Sequence, residues 1–360
     1  MSAQTLLAHV RSRVTVDVDS MDPAVAARHA EHTKFSDMTS NQAIVYSEAV
    51  RPERAALFNA ACAQFRSGSS VAQLPLDTRA ADALDLLTVL LAKEVYPHLT
   101  GRVHAQTSPS AAYDTEATIL HAKKLVSLFE ANGIPKSRVC IKIPATPESI
   151  VACRYLEQLG IRTLATCLFS VPQAMAAHQA GCLYVAPYFN ELRVHFEPEL
   201  WKEYADTARE HPASQVIKAI VHLYQEIGSS TLVMPASIVT AKEVLALVSL
   251  KPNHLTLSGA VLDQLAAAQA PEEAESADSK PHHPDVDLKA HPTSSDANNT
   301  NIMTVPDVKT TNFLENNGSA LREATAADAE TTRKLADALK IFGEMEAKTK
   351  ELIRAVLSAE

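Results

Sequence analysis

The sequence predicts a single (β/α)8 barrel of the TIM type with a C-terminal helix docked on it. Between residue 14 and about residue 260, short runs rich in β-branched residues alternate with longer helical patterns, which is typical of a parallel α/β fold. Eight such runs match the number of strands in this barrel. The 360 residues, 46% of them hydrophobic and 21% charged, are enough for a sizeable core.

The predicted strands and helices alternate along the chain, as the barrel requires. In the helical pattern of residues 79–95, Leu84 and Leu91 lie on one apolar stripe, and the pattern of residues 114–132 ends at Gly133, a predicted C-cap. The predicted strands are residues 15–19, 35–39, 102–107, 139–143, 162–168, 183–187, 232–235 and 255–257.

The chain divides into three parts by composition. We assign residues 1–265 to the barrel, residues 266–325 to a low-complexity insertion with its connecting segment, and residues 326–360 to the C-terminal helix of the same domain. Within the insertion, residues 271–300 are rich in Pro, Ser, Asp, Glu, Asn and His, without helical or strand periodicity. Such a composition predicts disordered or loosely held chain.

Glycine and cysteine spacing excludes several kinds of site. The closest glycines, Gly160 and Gly181, are 21 residues apart, which excludes a glycine-rich phosphate loop. The five cysteines are never closer than 13 residues, so no CxxC pair could hold zinc, and we expect neither a metal nor an organic cofactor. The odd cysteine count, without a recognisable signal segment, predicts a cytoplasmic protein.

Charge and hydropathy restrict the partners. The net charge is −9, and Lys and Arg are not gathered into a stripe, so we expect no nucleic acid partner. No apolar run approaches the roughly 20 residues that span a bilayer, so we expect no membrane partner. The expected partners are small-molecule carbonyl substrates and, in a homodimer, a second copy of the chain.

One lysine is predicted to face the barrel lumen. In the run Val139-Cys-Ile-Lys-Ile-Pro, the apolar residues on one parity suit the helix layer, which turns Lys142 inward. Burial among apolar walls lowers the pKa of a lysine, and the free amine can then attack a carbonyl to form a Schiff base. The alternative is a strand-end lysine whose ammonium group reaches solvent.

The first strand directs two carboxylates into the lumen. Asp17 and Asp19 have the opposite parity to Val16 and Val18. A carboxylate beside an amine nucleophile can transfer protons and hold substrate hydroxyls. The alternative is a structural salt bridge or a helix N-cap, and both interpretations favour Asp19 at the strand end.

Several motifs of the chain resemble those of the transaldolase family. The most specific are Tyr113-Asp-Thr-Glu-Ala-Thr-Ile and, one helix later, Ile141-Lys-Ile-Pro-Ala-Thr, which are similar to the family's Schiff-base lysine region. Three further motifs also resemble motifs of the family. Val18-Asp-Ser-Met-Asp resembles its first-strand aspartate motif, and Ser36-Asp-Met-Thr-Ser-Asn resembles its Asp-Ala-Thr-Thr-Asn motif. Thr166-Cys-Leu-Phe-Ser resembles its Thr-Leu-Leu-Phe-Ser motif. The resemblance covers almost everything except the insertion.

This resemblance implies a role for each matching residue. Lys142 would form an imine with a ketose donor, and Asp19 would take and return the proton of the hydroxyl beside the cleaved carbon–carbon bond. Asn41 would hold donor hydroxyls, and Thr166 would position a catalytic water. The protonated imine is an electron sink, so cleavage leaves an enamine that awaits an acceptor aldehyde.

Three positions near the lysine depart from the family pattern. Gln106 stands where the family has the glutamate that activates the water, and an amide cannot take up a proton. Tyr188 replaces the usual Phe, and this pair resembles the fructose-6-phosphate aldolase branch, in which the tyrosine hydroxyl is the acid/base group. Leu164 replaces a lumen asparagine. The alternative for Tyr188 is a packed aromatic.

The family's phosphate site is altered more radically. Glu191 and Val239 stand where the family has two arginines, and only the substrate-binding Ser237 remains. A carboxylate in place of a guanidinium would repel a phosphate dianion. Arg193 or His195 could compensate only if their loop is displaced.

We therefore expect a transaldolase-type enzyme that transfers a dihydroxyacetone-type unit from a ketose to an aldehyde. An alternative, favoured by Gln106, Tyr188 and Glu191, is an aldolase or a biosynthetic bond-forming enzyme that acts on unphosphorylated substrates. A second alternative is a catalytically weak binding scaffold, against which Lys142 and Asp19 argue.

Overall fold

The computed structural model describes residues 4–30, 33–66, 73–270 and 305–359. The segment predicted to be loosely held, residues 271–300, lies outside this described part. The strands are β1 Thr15–Val18, β2 Val103–Gln106, β3 Val139–Pro144, β4 Arg162–Leu168, β5 Tyr184–Pro187, β6 Leu232–Val233 and β7 His254–Leu257.

Helices follow most of the strands, and their ends obey local capping rules. Asp114 accepts the N–H of Ala117 at the start of the sixth helix, and Gly133, with φ of 86°, follows its end as predicted. The helices are α1 Leu6–Arg11, α2 Pro23–His29, α3 Gln42–Ala49, α4 Ala55–Ala63, α5 Leu76–Val95, α6 Thr115–Ala131, α7 Pro147–Gln158, α8 Val171–Ala180, α9 Thr207–Glu210, α10 Pro212–Glu226, α11 Ala241–Ser249, α12 Gly259–Ala267, α13 Val305–Thr310, α14 Ser319–Ala327 and α15 Ala329–Ser358.

The strands are parallel and form one ring. β2 to β6 pair in order, and β1 pairs with β7. Between β6 and β7, Asn253 N donates to Val233 O (3.0 Å) and Thr256 N donates to Pro235 O (3.3 Å). Residues 35–39 fill the gap between β1 and β2, so eight parallel segments close the predicted (β/α)8 barrel.

Residues 35–39 occupy the place of the second predicted strand, but the prediction of a strand there is wrong. Met38 alone bridges β1 and β2. Side-chain carboxylates take backbone donors that a strand ladder would use. Asp37 N donates to Asp17 Oδ1 (2.8 Å), and Arg102 N donates to Asp37 Oδ1 (2.7 Å).

Buried acid–imidazole pairs fill the lower part of the barrel lumen. His104 Nε2 donates to Asp37 Oδ2, and His254 Nδ1 donates to Asp17 Oδ2, both at 2.8 Å. The ring of Tyr184 lies beside both imidazoles, with centroid distances of 5.5 Å and 5.3 Å. Because each carboxylate has hydrogen-bond partners, this polar layer is tolerated inside the barrel.

The Asp37 carboxylate anchors the segment that replaces the second strand. Burial alone would raise its pKa, but hydrogen bonds from His104 and from the backbone of Arg102 lower the pKa overall. A Cβ on Gly101 would lie 1.9 Å from Asp37 Oδ1, so only glycine allows the carboxylate to approach this closely.

The C-terminal helix α15 packs against α3 and α5 and reaches the end of β4. Asp328 caps it by accepting the N–H of Thr331 (3.0 Å). The connecting segment before it carries α13 and α14, and α14 packs against α8. Within the described residues, no helix combines the length and apolar composition needed to cross a membrane.

We predict that Asp37→Asn lowers the free energy of unfolding by about 2 kcal/mol at neutral pH, because it removes a charged acceptor from a buried network. Urea denaturation measures this loss. The matched control is Asp263→Asn, whose side chain is 52% exposed beside Arg28 and which should lose less than about 1 kcal/mol.

The loss should also depend on pH with a defined sign. Since the folded-state pKa of Asp37 is lowered, its stabilisation is fully present above the ordinary Asp pKa near 3.9 and fades as the pH falls below it. Equal stabilities of the wild type and Asp37→Asn at neutral pH would contradict the anchoring role.

Candidate active site

Lys142 lies in the lumen near the C-terminal end of β3. The alternate residues Val139, Ile141 and Ile143 pack in the main hydrophobic core, whereas Cys140 belongs to the lumen cluster. The Lys142 side chain is only 2% exposed, so its ammonium group does not reach solvent. Burial lowers its pKa, and the nearby Asp19 carboxylate opposes this effect only in part.

Asp19 follows β1 and faces the same space. Its N–H donates to Leu257 O (2.8 Å), and its Oδ1 accepts a hydrogen bond from Thr39 Oγ1 (2.6 Å). The charge of this carboxylate acts on Lys142 and on Tyr188. The carboxylate is therefore held in place while it remains partly open to the site.

Tyr188 immediately follows β5 and meets Thr166 of β4. Thr166 Oγ1 donates to Tyr188 Oη (3.2 Å), and the Tyr188 ring packs edge-on against Phe169 at 5.6 Å between centroids. Burial raises the pKa of Tyr188 well above its ordinary value. The phenol is thus protonated near neutral pH and can donate a proton to a group in the lumen.

Gln106 is the register neighbour of Lys142 across β2 and β3. Its Nε2 donates to Gln42 Oε1 (2.7 Å), and Gln42 Nε2 in turn donates to Thr107 O (3.0 Å). Its Oε1 is buried and has no hydrogen-bond partner among the described residues. An amide oxygen held in this way can accept a hydrogen bond from a water but cannot take its proton.

Asn41 has a structural task as well as its predicted one. It is the N-cap of α3, and its Oδ1 accepts the N–H groups of Ala43 (2.9 Å) and Ile44 (3.0 Å). The carbonyl oxygen is therefore committed to the helix. Only the side-chain NH2 remains for a substrate hydroxyl.

Cys167 also lies in the lumen cluster, although regular strand alternation would turn it away from the side of Leu164 and Thr166. The register of β4 against β5 shifts between Ala165 and Leu168, and Cys167 has φ of 51° at this bulge. The thiol therefore lies beside Lys142 and Tyr188, and burial raises its pKa to about 12. The sequence carried no signal for this irregularity.

The altered phosphate region has acquired its own partners. Ser237 Oγ lies 2.8 Å from His195 Nε2, and Arg333 Nη1 of α15 donates to Glu191 Oε2 (2.7 Å). Arg193 Nη2 donates to Glu197 Oε2 (2.7 Å). Arg193 is therefore already paired, and partial desolvation lowers the pKa of His195. Neither side chain offers the unpaired positive charge that the two missing arginines would supply.

The structure thus brings four of the predicted residues around one space, namely Lys142, Asp19, Tyr188 and Thr166. Gln106 adjoins Lys142 on the next strand, and Leu164 flanks it on the other side. The fully buried Leu164 makes this wall apolar. A buried amine, a carboxylate and a protonated phenol can together support carbonyl addition and proton transfer.

Comparisons with known proteins match this chain to one family over nearly its whole length. A family model described as transaldolase/fructose-6-phosphate aldolase matches residues 15–342. A transaldolase from Alteromonas mediterranea is 31% identical over 98% of this chain and 99% of its own length. A transaldolase from Methylobacillus flagellatus is 32% identical over 65% of this chain and 71% of its own length. One from Fusarium oxysporum is 32% identical over 71% of this chain and 76% of its own.

Proposed function

Because the chain belongs to the transaldolase/fructose-6-phosphate aldolase family and is an enzyme of the transaldolase type, we propose that Lys142 forms the imine with a ketose donor. The enzyme then transfers a dihydroxyacetone-type unit to an aldehyde. The observation that supports this assignment most strongly is the burial of Lys142 in the lumen, with a lowered pKa and a carboxylate nearby.

Imine formation requires a free amine and the loss of water. The Lys142 amine adds to the ketose carbonyl and gives a carbinolamine. Tyr188 then donates its phenolic proton to the carbinolamine hydroxyl, which leaves as water while the iminium forms. The hydrogen bond that Thr166 donates to Tyr188 Oη stabilises the phenolate at this stage.

Cleavage moves an electron pair into the iminium. Asp19 accepts the proton of the hydroxyl beside the scissile bond, the carbon–carbon bond breaks, and an aldehyde leaves. The electron pair of that bond becomes the enamine on Lys142. Addition to a second aldehyde reverses these steps, and Asp19 returns the proton to the new hydroxyl.

Hydrolysis of the final iminium uses a water molecule between Gln106 and Tyr188. The Oε1 of Gln106, which has no partner in the described part of the chain, accepts a hydrogen bond from this water and orients it. The Tyr188 phenolate takes the proton of the water as it attacks the iminium carbon. Asn41 and Ser237 complete the proposed site by binding hydroxyl groups of the substrates.

We also propose a cytoplasmic location, because all five cysteines are unpaired and buried, as a reducing compartment favours. Small-molecule carbonyl compounds are the proposed partners. The homodimer remains a prediction from the sequence.

Borohydride reduction tests the proposed imine. Treatment with dihydroxyacetone and borohydride should label Lys142 in the wild type, because reduction converts the reversible imine into a stable amine. Peptide mass spectrometry locates the label. Lys142→Met should remain folded and unlabelled, and omission of dihydroxyacetone should abolish labelling. Labelling at other lysines with Lys142 unmodified would contradict the assignment.

A second prediction concerns Tyr188. Tyr188→Phe should lower kcat by roughly 100-fold, since it removes the proton donor and keeps the ring. The matched control is Tyr224→Phe, which removes a buried hydroxyl that donates to Ala174 O (2.6 Å) outside the site. We expect that control to change kcat less than about twofold. Equal rates for the two variants would refute proton transfer by Tyr188.

A further inference from the structure

A cavity of about 520 Å³ opens at the C-terminal face of the barrel, beside Tyr188. It lies among the end of β5, the first turns of α8 and α10, and the start of α15. We call it the acceptor cavity and define it by Phe169, Tyr188, Phe189, Val194, His211 and Val216. We propose that it binds the apolar body of an unphosphorylated acceptor aldehyde, such as an arylalkyl aldehyde. This inference rests on the proposed function.

The position of the acceptor cavity supports this use. Active sites of (β/α)8 barrels lie at the C-terminal face, and Tyr188 is shared between the lumen and the cavity wall. Phe169, which also lines the cavity, packs edge-on against the Tyr188 ring. A molecule that fills the cavity would therefore contact Tyr188, which links the cavity to the lumen site.

Much of the wall of the acceptor cavity is formed by apolar or uncharged side chains. Phe169, Val194 and Val216 contribute aliphatic and aromatic surface. His211 stacks on Phe189 at 4.0 Å between ring centroids, and burial lowers the pKa of His211 to about 4, so this imidazole is neutral at pH 7. Binding of an apolar group against such a wall is favourable, because it removes apolar surface from water.

Three cationic side chains line the acceptor cavity; Lys202 is exposed, whereas Arg333 and Lys334 are already held by carboxylates. Arg333 donates to Glu191 (2.7 Å), Glu330 (2.9 Å) and Asp337 (3.0 Å). Lys334 pairs with Glu330 at 3.6 Å. A phosphate dianion would have to displace carboxylates from Arg333 and Lys334, whereas an uncharged acceptor leaves the pairs intact.

The volume also favours a larger acceptor. About 520 Å³ lies within the range of pockets that bind drug-sized molecules, and a three- or four-carbon sugar would leave much of it unfilled. An apolar molecule that fills the cavity removes more surface from water than such a small sugar does. The wall is therefore better matched to a phenyl-bearing aldehyde than to a sugar phosphate.

The bond-forming step balances without any further reactant. The dihydroxyacetone iminium on Lys142 loses a carbon-bound proton to Asp19 and becomes the neutral enamine. The enamine carbon bonds to the aldehyde carbon, the aldehyde oxygen takes that proton, and the nitrogen returns to the iminium. Water then releases the ketose product and the free amine.

The test compares acceptors with one donor, dihydroxyacetone. Borohydride trapping on the same preparation first establishes whether the Lys142 imine forms. We expect kcat/KM for 3-phenylpropanal to exceed that for erythrose 4-phosphate by about tenfold or more, because only the phenyl group fills the cavity. Glyceraldehyde is the small unphosphorylated control.

Variants that fill the cavity test whether the acceptor preference arises there. Val216→Trp should raise KM for 3-phenylpropanal by about tenfold or more relative to glyceraldehyde, and Ala213→Leu is a milder second variant in the same wall. The matched control is Val50→Trp, at a residue that is 49% exposed outside the cavity. It should leave the ratio of the two KM values unchanged.

The outcomes separate the two proposals. Absence of the imine contradicts the proposed function. An imine together with a preference for erythrose 4-phosphate overturns the acceptor cavity alone. The same holds if both folded wall variants leave the ratio of KM values unchanged.

Discussion

The burial of one amine in the barrel lumen is the constraint on which the site depends. Lys142 stands on a strand whose outward residues, Val139, Ile141 and Ile143, are apolar, and its side chain is almost fully removed from water. A charged ammonium group is expensive there, which favours the nucleophilic free base. The Asp19 carboxylate limits this effect by stabilising the charged form.

Buried residues in the lower part of the lumen hold the active-site groups above them in place. Two carboxylate–imidazole pairs replace part of the backbone ladder and hold residues 35–39 between β1 and β2. This segment carries Thr39, which orients Asp19, and leads to Asn41 at the start of α3. The buried network therefore positions Thr39 and Asn41 in the upper part of the lumen, although none of its own members faces the proposed reaction site. The same network makes the segment irregular.

Strand alternation was sufficient to predict the barrel and the inward direction of Lys142 and Asp17, because both follow from local period and parity. Regular alternation breaks down at Cys167, where a bulge with a left-handed residue reverses the side chain. It also failed at residues 35–39, where side chains take backbone donors from the ladder. Neither effect has a periodic signature in one sequence.

Contacts between distant parts of the chain were equally inaccessible to sequence reasoning. The charge of Glu191 suggested repulsion of phosphate, but its pairing with Arg333 joins residues 142 positions apart and emerges only when α15 packs on the barrel. The family motifs predicted which residue types meet around Lys142. They could not predict that Asn41 commits its carbonyl oxygen to a helix cap, or that no described residue bonds to the side-chain oxygen of Gln106.

The protonation of Lys142 tests the central claim most directly. Its pKa can be read from the pH dependence of labelling by dihydroxyacetone and cyanoborohydride, with a free lysine amide measured alongside. The account predicts a midpoint clearly below the ordinary lysine value near 10.4, and a lower midpoint still in Asp19→Asn, because that carboxylate stabilises the ammonium form. A midpoint at or above the value of the free lysine amide would contradict the account.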